Sequence, residues 1–278
     1  MSELILVERD GAIATVVLNR PHKLNALTRA MWGELGDTVW SLSQDAGVRC
    51  IILRGAGEKA FSPGNDIGEF ENERSNVEQA RAYGQVMTRT IEAIGHCRHP
   101  VVAQIHGICV GGGLEIAGLA DFRICGESSR FGVPINRLGL VMAYSEIGAL
   151  IRLAGEAVAL EILLEGRVFE AREAKEKGLV TRVVPDDQVE AEAKATARRI
   201  ADGAPLVARW HKKFARRLRD SWQGSFILKG IQCVEDAEKA PGPKKAQGGS
   251  ESQRPGATGN PSLAARVGCH GSPFPLLT

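Results

Sequence analysis

The stretch IHGICVGGGLEIAGLAD, residues 105–121, decides the fold. It continues an apolar run, VVAQI at 101–105, that reads as a buried strand. Gly111, Gly112 and Gly113 then allow a tight turn, and a helix is expected from about Leu114. Strand, glycine turn and helix in succession form one unit of an α/β fold. The amides that open such a helix have no intrahelical acceptor, and the helix dipole there favours negative charge. The turn is therefore a candidate site for an oxyanion or a phosphate. A glycine turn kept only for close helix–strand packing is the equal alternative. No Lys-Ser or Lys-Thr follows, which excludes a nucleotide phosphate loop.

The pattern repeats on both sides. ELILVE (3–8) and GAIATVVLN (11–19) read as strands joined at Asp10-Gly11. Thr28 is placed to cap an amphipathic helix reaching Gln44. RCIILRG (49–55) and FRICG (122–126) read as further strands, and 76–97 has helical periodicity. From Tyr144 onward the pattern is nearly all helical: 145–154, 156–165, 171–177, 186–203 and 205–219, with a break at TRVV (181–184). The expected organisation is a core over 1–200, a helical part over 201–235, and a tail over 236–278. That tail is rich in Gly, Pro and Ser, without periodicity, and reads as mostly irregular.

Composition removes several classes of function. The chain has 278 residues, 44% hydrophobic, enough for a substantial core. A net charge of +2 and 5% aromatic residues disfavour a nucleic-acid partner. No apolar run approaches the roughly 20 residues a spanning helix needs, and the start lacks the pattern of a signal peptide. The six cysteines are scattered, mostly in apolar runs, and form no CxxC pair. Free thiols in a reducing cytoplasm fit better than disulfides or a metal site. His106 reads as a core histidine, and His96 and His99 as loop residues. No GxSxG occurs.

A second loop, FSPGNDIGEF (61–70), leaves Asn65 exposed ahead of a helix start; Asp66 as a simple helix cap is the bland reading. The two loops in this order resemble the signature of the crotonase (enoyl-CoA hydratase/isomerase) family. FSPGNDI stands where that family has F-x-A-G-A-D-I, and GICVGGGLEIAGLAD where it has G-x-x-x-G-G-G-x-E-L-A-x-x-C-D. NRPHKLNAL (19–27) and GRVFEAREAKEKGLVTRVVP (166–185) match two further family patterns, so the likeness runs from about Leu6 to Phe214. Four ordered motifs are far more specific than one. The resemblance implies an α/β fold: a spiral of ββα turns with a C-terminal helical subdomain, assembled as a homotrimer or hexamer. It implies an acyl-CoA substrate, with coenzyme A as part of that substrate and no separate cofactor or metal. It assigns the backbone N–H groups of Asn65 and Gly112 to an oxyanion hole, and places Lys23, Leu24, Ser62, Asp66 and Ile67 along the CoA moiety.

Such a hydratase uses two glutamates around one water. Glu115 matches the first. The second belongs in FGVPINRLGL (131–140), where this chain has Ile135. An isoleucine transfers no proton, so very weak hydration of crotonyl-CoA is expected. The nominal activity is that of an enoyl-CoA hydratase, lyase or isomerase. An acyl-CoA decarboxylase that needs only the oxyanion hole, and a non-catalytic acyl-CoA-binding homologue, are the alternatives. Glu146 reads as a first-turn helix residue, and the basic segment RWHKKFARRLRD (209–220) as a solvated face, with Lys212 or Lys213 as candidates for CoA phosphates. Nothing after Val234 matches the family's ending, and an altered reading frame near residue 235 would explain it.

Overall fold

The computed structural model describes residues 3–221; the expected tail at 236–278 lies outside them. The chain opens with an antiparallel pair, β1 (Ile5–Asp10) and β2 (Ile13–Leu18), in register Ile5 to Leu18. It then winds in repeated turns of strand, short strand and helix. Helix α1 (Arg29–Gln44) leads to β3 (Cys50–Gly55), β4 (Ala60–Ser62), the short α2 (Phe70–Glu73) and the long α3 (Val77–His96). The next turn is β5 (Val101–Ile105), β6 (Ile108–Val110) and α4 (Gly112–Leu119). The third is β7 (Phe122–Gly126), β8 (Arg130–Gly132) and α5 (Tyr144–Ala154). There follow α6 (Glu156–Glu165), β9 (Val168–Glu170), α7 (Ala171–Glu176), β10 (Arg182–Val184), α8 (Val189–Asp202) and α9 (Pro205–Ser221). This is the expected ββα spiral.

The longer strands and the three-residue β10 form one sheet in the order β1-β2-β3-β5-β7-β10, parallel from β2 onward. Parallel strands are covered on both faces, which is why their sequences are almost wholly apolar. Side chains alternate between the faces. Ile51 and Leu53 enter the main core with Trp32, Phe61 and Ile105. Cys50 and Ile52 face the other way, against Ala193, Ala197 and Ala201 of α8. Alanines four apart give α8 a flat stripe that lies close to the sheet.

The short strands form a second sheet, β4-β6-β8-β9, which the sequence reading did not anticipate. Three residues are too few to show a period. The order matters here, because β4 and β6 are neighbours and each leads directly into one of the two motif loops. The 181–184 break is β10, paired with β7.

The basic helix α9 corrects one expectation. Lys212 is not on a solvated face: its ammonium is buried, pairs with Asp121 and donates to the His99 carbonyl. Arg216 reaches the Cys97 carbonyl and Asp121. The helix is fastened to the end of the six-stranded sheet by these contacts, so Lys212 is not available to a CoA phosphate. Lys213 instead lies over the Trp210 ring, 4.3 Å from its centre.

Candidate active site

Because β4 and β6 pair side by side, the loops that follow them leave the second sheet together and touch. A Cβ on Gly113 would lie 2.1 Å from the Ser62 carbonyl oxygen, and one on Gly64 would lie 2.7 Å from the Gly112 nitrogen. Gly64 also has φ +96°. Only glycine meets both the close approach and that backbone conformation. The helix begins at Gly112, two residues before the expected Leu114.

Asn65 lies opposite Leu27 in an isolated parallel bridge. Leu27 N–H donates to the Gly64 carbonyl (2.8 Å), and Asp66 N–H donates to the Leu27 carbonyl (2.9 Å). The neighbours of Asn65 thus take both bonds to Leu27, and the Asn65 N–H faces the opposite side. Gly112 is close by: a Cβ there would be 3.8 Å from the Asn65 nitrogen. Among the described residues neither amide donates a backbone hydrogen bond. Two adjacent, unspent N–H groups at a helix start favour a negatively charged oxygen.

The Asn65 side chain is half-buried rather than exposed. Its Oδ1 accepts from Trp32 Nε1 at 2.6 Å, and Trp32 is fully buried. The carboxamide is thereby held against α1. Asp66 does cap the following turn, accepting from Gly68 N–H at 3.1 Å, and it pairs with Arg20 at 2.9 Å. That arginine holds the Asp66 carboxyl below the usual carboxylate range. The bridge and the ion pair join the 19–27 and 61–67 segments. Lys23, Leu24, Asp66 and Ile67 therefore share a partly exposed surface, with Ile67 59% exposed. Ser62 stands apart. It is fully buried, donates to the Asn25 carbonyl and accepts from Gly64 N–H.

Glu115 lies in the first turn of α4 and is buried, and among the described residues its Oε1 has no hydrogen-bond partner. Burial pushes its carboxyl well above the ordinary glutamate range, and the Glu146 carboxylate adds to this. Glu146, in the first turn of α5, faces the same small cavity between the two helices. Leu114, Val133, Met142 and Leu150 wall it. Burial raises the Glu146 carboxyl too, opposed by the Ala143 N–H and by Arg74. The Ala143 N–H donates to Glu146 Oε2 at 2.7 Å, so the helix-cap reading holds, yet the residue also reaches Glu115's cavity. Ile135 is partly buried in a turn at Pro134–Leu138 and packs on the core. Tyr144 is 98% exposed.

Sequence reasoning missed a cluster behind Asn65. The Arg74 guanidinium sits 3.9 Å over the Tyr83 ring and donates to Met87 Sδ, 3.1 Å away. Among the described residues the buried Tyr83 hydroxyl has no hydrogen-bond partner, and burial pushes it up to about 12. Of the histidines, His99 is buried rather than in an open loop. Its Nε2 lies 3.1 Å from the Asp45 carbonyl, and burial lowers it to about 4. No cluster of metal ligands occurs among the described residues.

The profile of the family described as "Enoyl-CoA hydratase/isomerase" matches residues 8–225. The "Probable enoyl-CoA hydratase echA8" of Mycobacterium bovis is 35% identical over 226 residues, 81% of this chain and 86% of that protein. The "Short-chain-enoyl-CoA hydratase" of Clostridium acetobutylicum is 32% identical over 236 residues, 85% of each. A crystal structure of an "enoyl-CoA hydratase/ carnithine racemase" from Magnetospirillum magneticum is 49% identical, with a TM-score of 0.81. That match covers 86% of this chain and 90% of the other. The chain belongs to the enoyl-CoA hydratase/isomerase (crotonase) family and has its α/β fold.

Proposed function

We propose that the chain is an acyl-CoA thioester lyase or isomerase, nominally an enoyl-CoA hydratase, that holds a thioester oxyanion between the N–H groups of Asn65 and Gly112. The observation that carries this reading is the adjacency of those two amides at the start of the helix whose first turn carries the buried Glu115. Addition to a conjugated thioester, or proton loss next to it, places negative charge on the thioester oxygen. Preorganised donors favour that charge, and one such donor is typically worth ~3 kcal/mol. Glu115 is the group that handles a proton. Its apolar surroundings favour the neutral acid, the form that can donate.

Lys23, Leu24, Asp66 and Ile67 form the edge along which the CoA moiety lies, and binding there supplies energy for positioning the acyl end. Ser62 contributes through its place in the loop rather than through a free hydroxyl. Trimeric or hexameric assembly and a cytoplasmic location belong to the same reading. A second reading, an acyl-CoA decarboxylase using the same two amides, is favoured by the packing of Ile135 into the core where the resemblance implies an acid. The test is a thioester panel followed by mass spectrometry. Water addition to crotonyl-CoA supports the first reading, and loss of carbon dioxide from methylmalonyl-CoA the second. Binding without turnover of any member overturns both.

A further inference from the structure

We propose that Glu146 is the second carboxylate of this site: with Glu115 it forms a proton-carrying pair across the cavity between α4 and α5, in place of an acid at position 135. The inference rests on the oxyanion reading above and adds a residue to it.

Three observations carry it. First, two carboxyl groups from different helices line one small cavity whose other walls are apolar. A buried acid without a partner is costly and is usually retained for a reason. Here Glu115 Oε1 is without one among the described residues, and the other titratable group lining the cavity is another acid rather than a base. Second, Glu146 is turned inward although Tyr144, two residues earlier, is almost fully exposed. The cap to Ala143 N–H engages Oε2 alone. Third, the position at which the resemblance implies an acid is filled by Ile135, which packs on the core from the same segment. Glu146 offers a carboxyl from the same segment, in the first turn of α5.

The charged and polar groups that face Glu146 are the Ala143 N–H, Arg74 and Glu115. The first two favour an ionised Glu146, while Glu115 has no such support. Two like charges in one apolar cavity do not both ionise readily, so the pair holds one proton, mainly on Glu115.

The hydration step then balances as follows. Ionised Glu146 takes a proton from water as its oxygen bonds to the β-carbon of the enoyl thioester. The alkene electron pair moves to the thioester oxygen, held by Asn65 and Gly112. Neutral Glu115 gives its proton to the α-carbon as the enolate collapses. The proton now on Glu146 passes to Glu115 across the cavity, which restores the starting state with one water added.

Glu146→Gln tests this, because a glutamine carbonyl still accepts from Ala143 N–H and keeps the cap. Expected is a fall in kcat for crotonyl-CoA of about 10²–10⁴-fold, with little change in KM, circular dichroism or melting temperature. The acidic limb of the pH–rate profile should disappear from the residual rate, because that limb reports the base. Glu115→Gln with Glu146→Gln should be little worse than either alone, as expected of groups acting as a unit. If crotonyl-CoA hydration survives Glu146→Gln within about threefold, or keeps its acidic limb, the assignment of Glu146 falls and the oxyanion reading stands. The same holds if the unmodified chain decarboxylates methylmalonyl-CoA without hydrating crotonyl-CoA. If the unmodified chain turns over no thioester, both fall.

Discussion

The loops at 61–67 and 107–115 place backbone groups, whereas the segment at 131–146 places side chains. The two regions respond differently to sequence change. In the loops the proposed reacting groups are amides, fixed by glycine contacts and by the Leu27 bridge. Asn65 stands where the family pattern has alanine, yet its N–H keeps its place, and the extra carboxamide is absorbed by Trp32. In the later segment the proposed reacting group is a carboxyl, which a single substitution would remove. Under the proposal above, Glu146 brings that carboxyl to the cavity from the first turn of α5. Backbone chemistry thus constrains glycines and tolerates side chains, and side-chain chemistry does the reverse.

The largest expected effect comes from filling the space between the loops. In Gly64→Ala the new Cβ sits 2.7 Å from the Gly112 nitrogen, at a residue with φ +96°. It displaces one amide and strains the other loop. Turnover should fall by at least the 10²–10³-fold of one lost oxyanion donor, and stability by about 1–3 kcal/mol. Steady-state rates and urea unfolding measure the two parts. A fully active Gly64→Ala would mean that the backbone is not the constrained element. Lys212→Met acts far from the loops, on the buried ion pair with Asp121. Removing one partner of such a pair costs about 3 kcal/mol. Denaturant titration should show that loss, and kcat of the folded fraction should be unchanged.

Asn65→Ala separates the two kinds of chemistry most directly. The indole N–H of the buried Trp32 loses its acceptor, which costs about 1–2 kcal/mol. The Asn65 amide remains, so kcat should change less than about threefold. A large loss of kcat at unchanged stability would show that the carboxamide, not the amide N–H, touches the substrate.

Legibility from sequence follows the same division. The central strands β2, β3, β5 and β7 of the six-stranded sheet were readable because they run five or six residues and are largely apolar, and α1 because Thr28 caps it, accepting from Met31 N–H. The second sheet was not, since its strands span three residues each. The glycine loops announced the amides. Glu146 was visible only as a cap, although it is the one carboxylate between Phe131 and Gly155, and that isolation was the available signal. The burial of Lys212 had no local signal, because its partner Asp121 is 91 residues away.

The smallest expected effect is on the pH dependence of stability, and it bears on the carboxyl pair alone. Burial, and then Glu146, raise the Glu115 carboxyl above its value in the unfolded chain. In the unfolded chain a glutamate titrates near ~4.3. Below that pH both states are protonated and the neutral, buried acid is tolerated in full. As pH rises from there to the folded value, the unfolded chain releases a proton that the folded chain retains. Stability therefore declines across this window and levels off above it. Glu115→Gln cannot ionise, so its curve should lack that part of the decline. At acid pH the two proteins should be nearly equal, since a neutral amide replaces a neutral acid of the same shape. At pH 7–8 the variant should be the more stable by about 1 kcal/mol, although its turnover is lost. Urea titrations of both proteins from pH 4 to pH 8 provide the comparison. Parallel curves would mean that Glu115 is as well solvated in the folded chain as in the unfolded one, and that the cavity it shares with Glu146 is open to water.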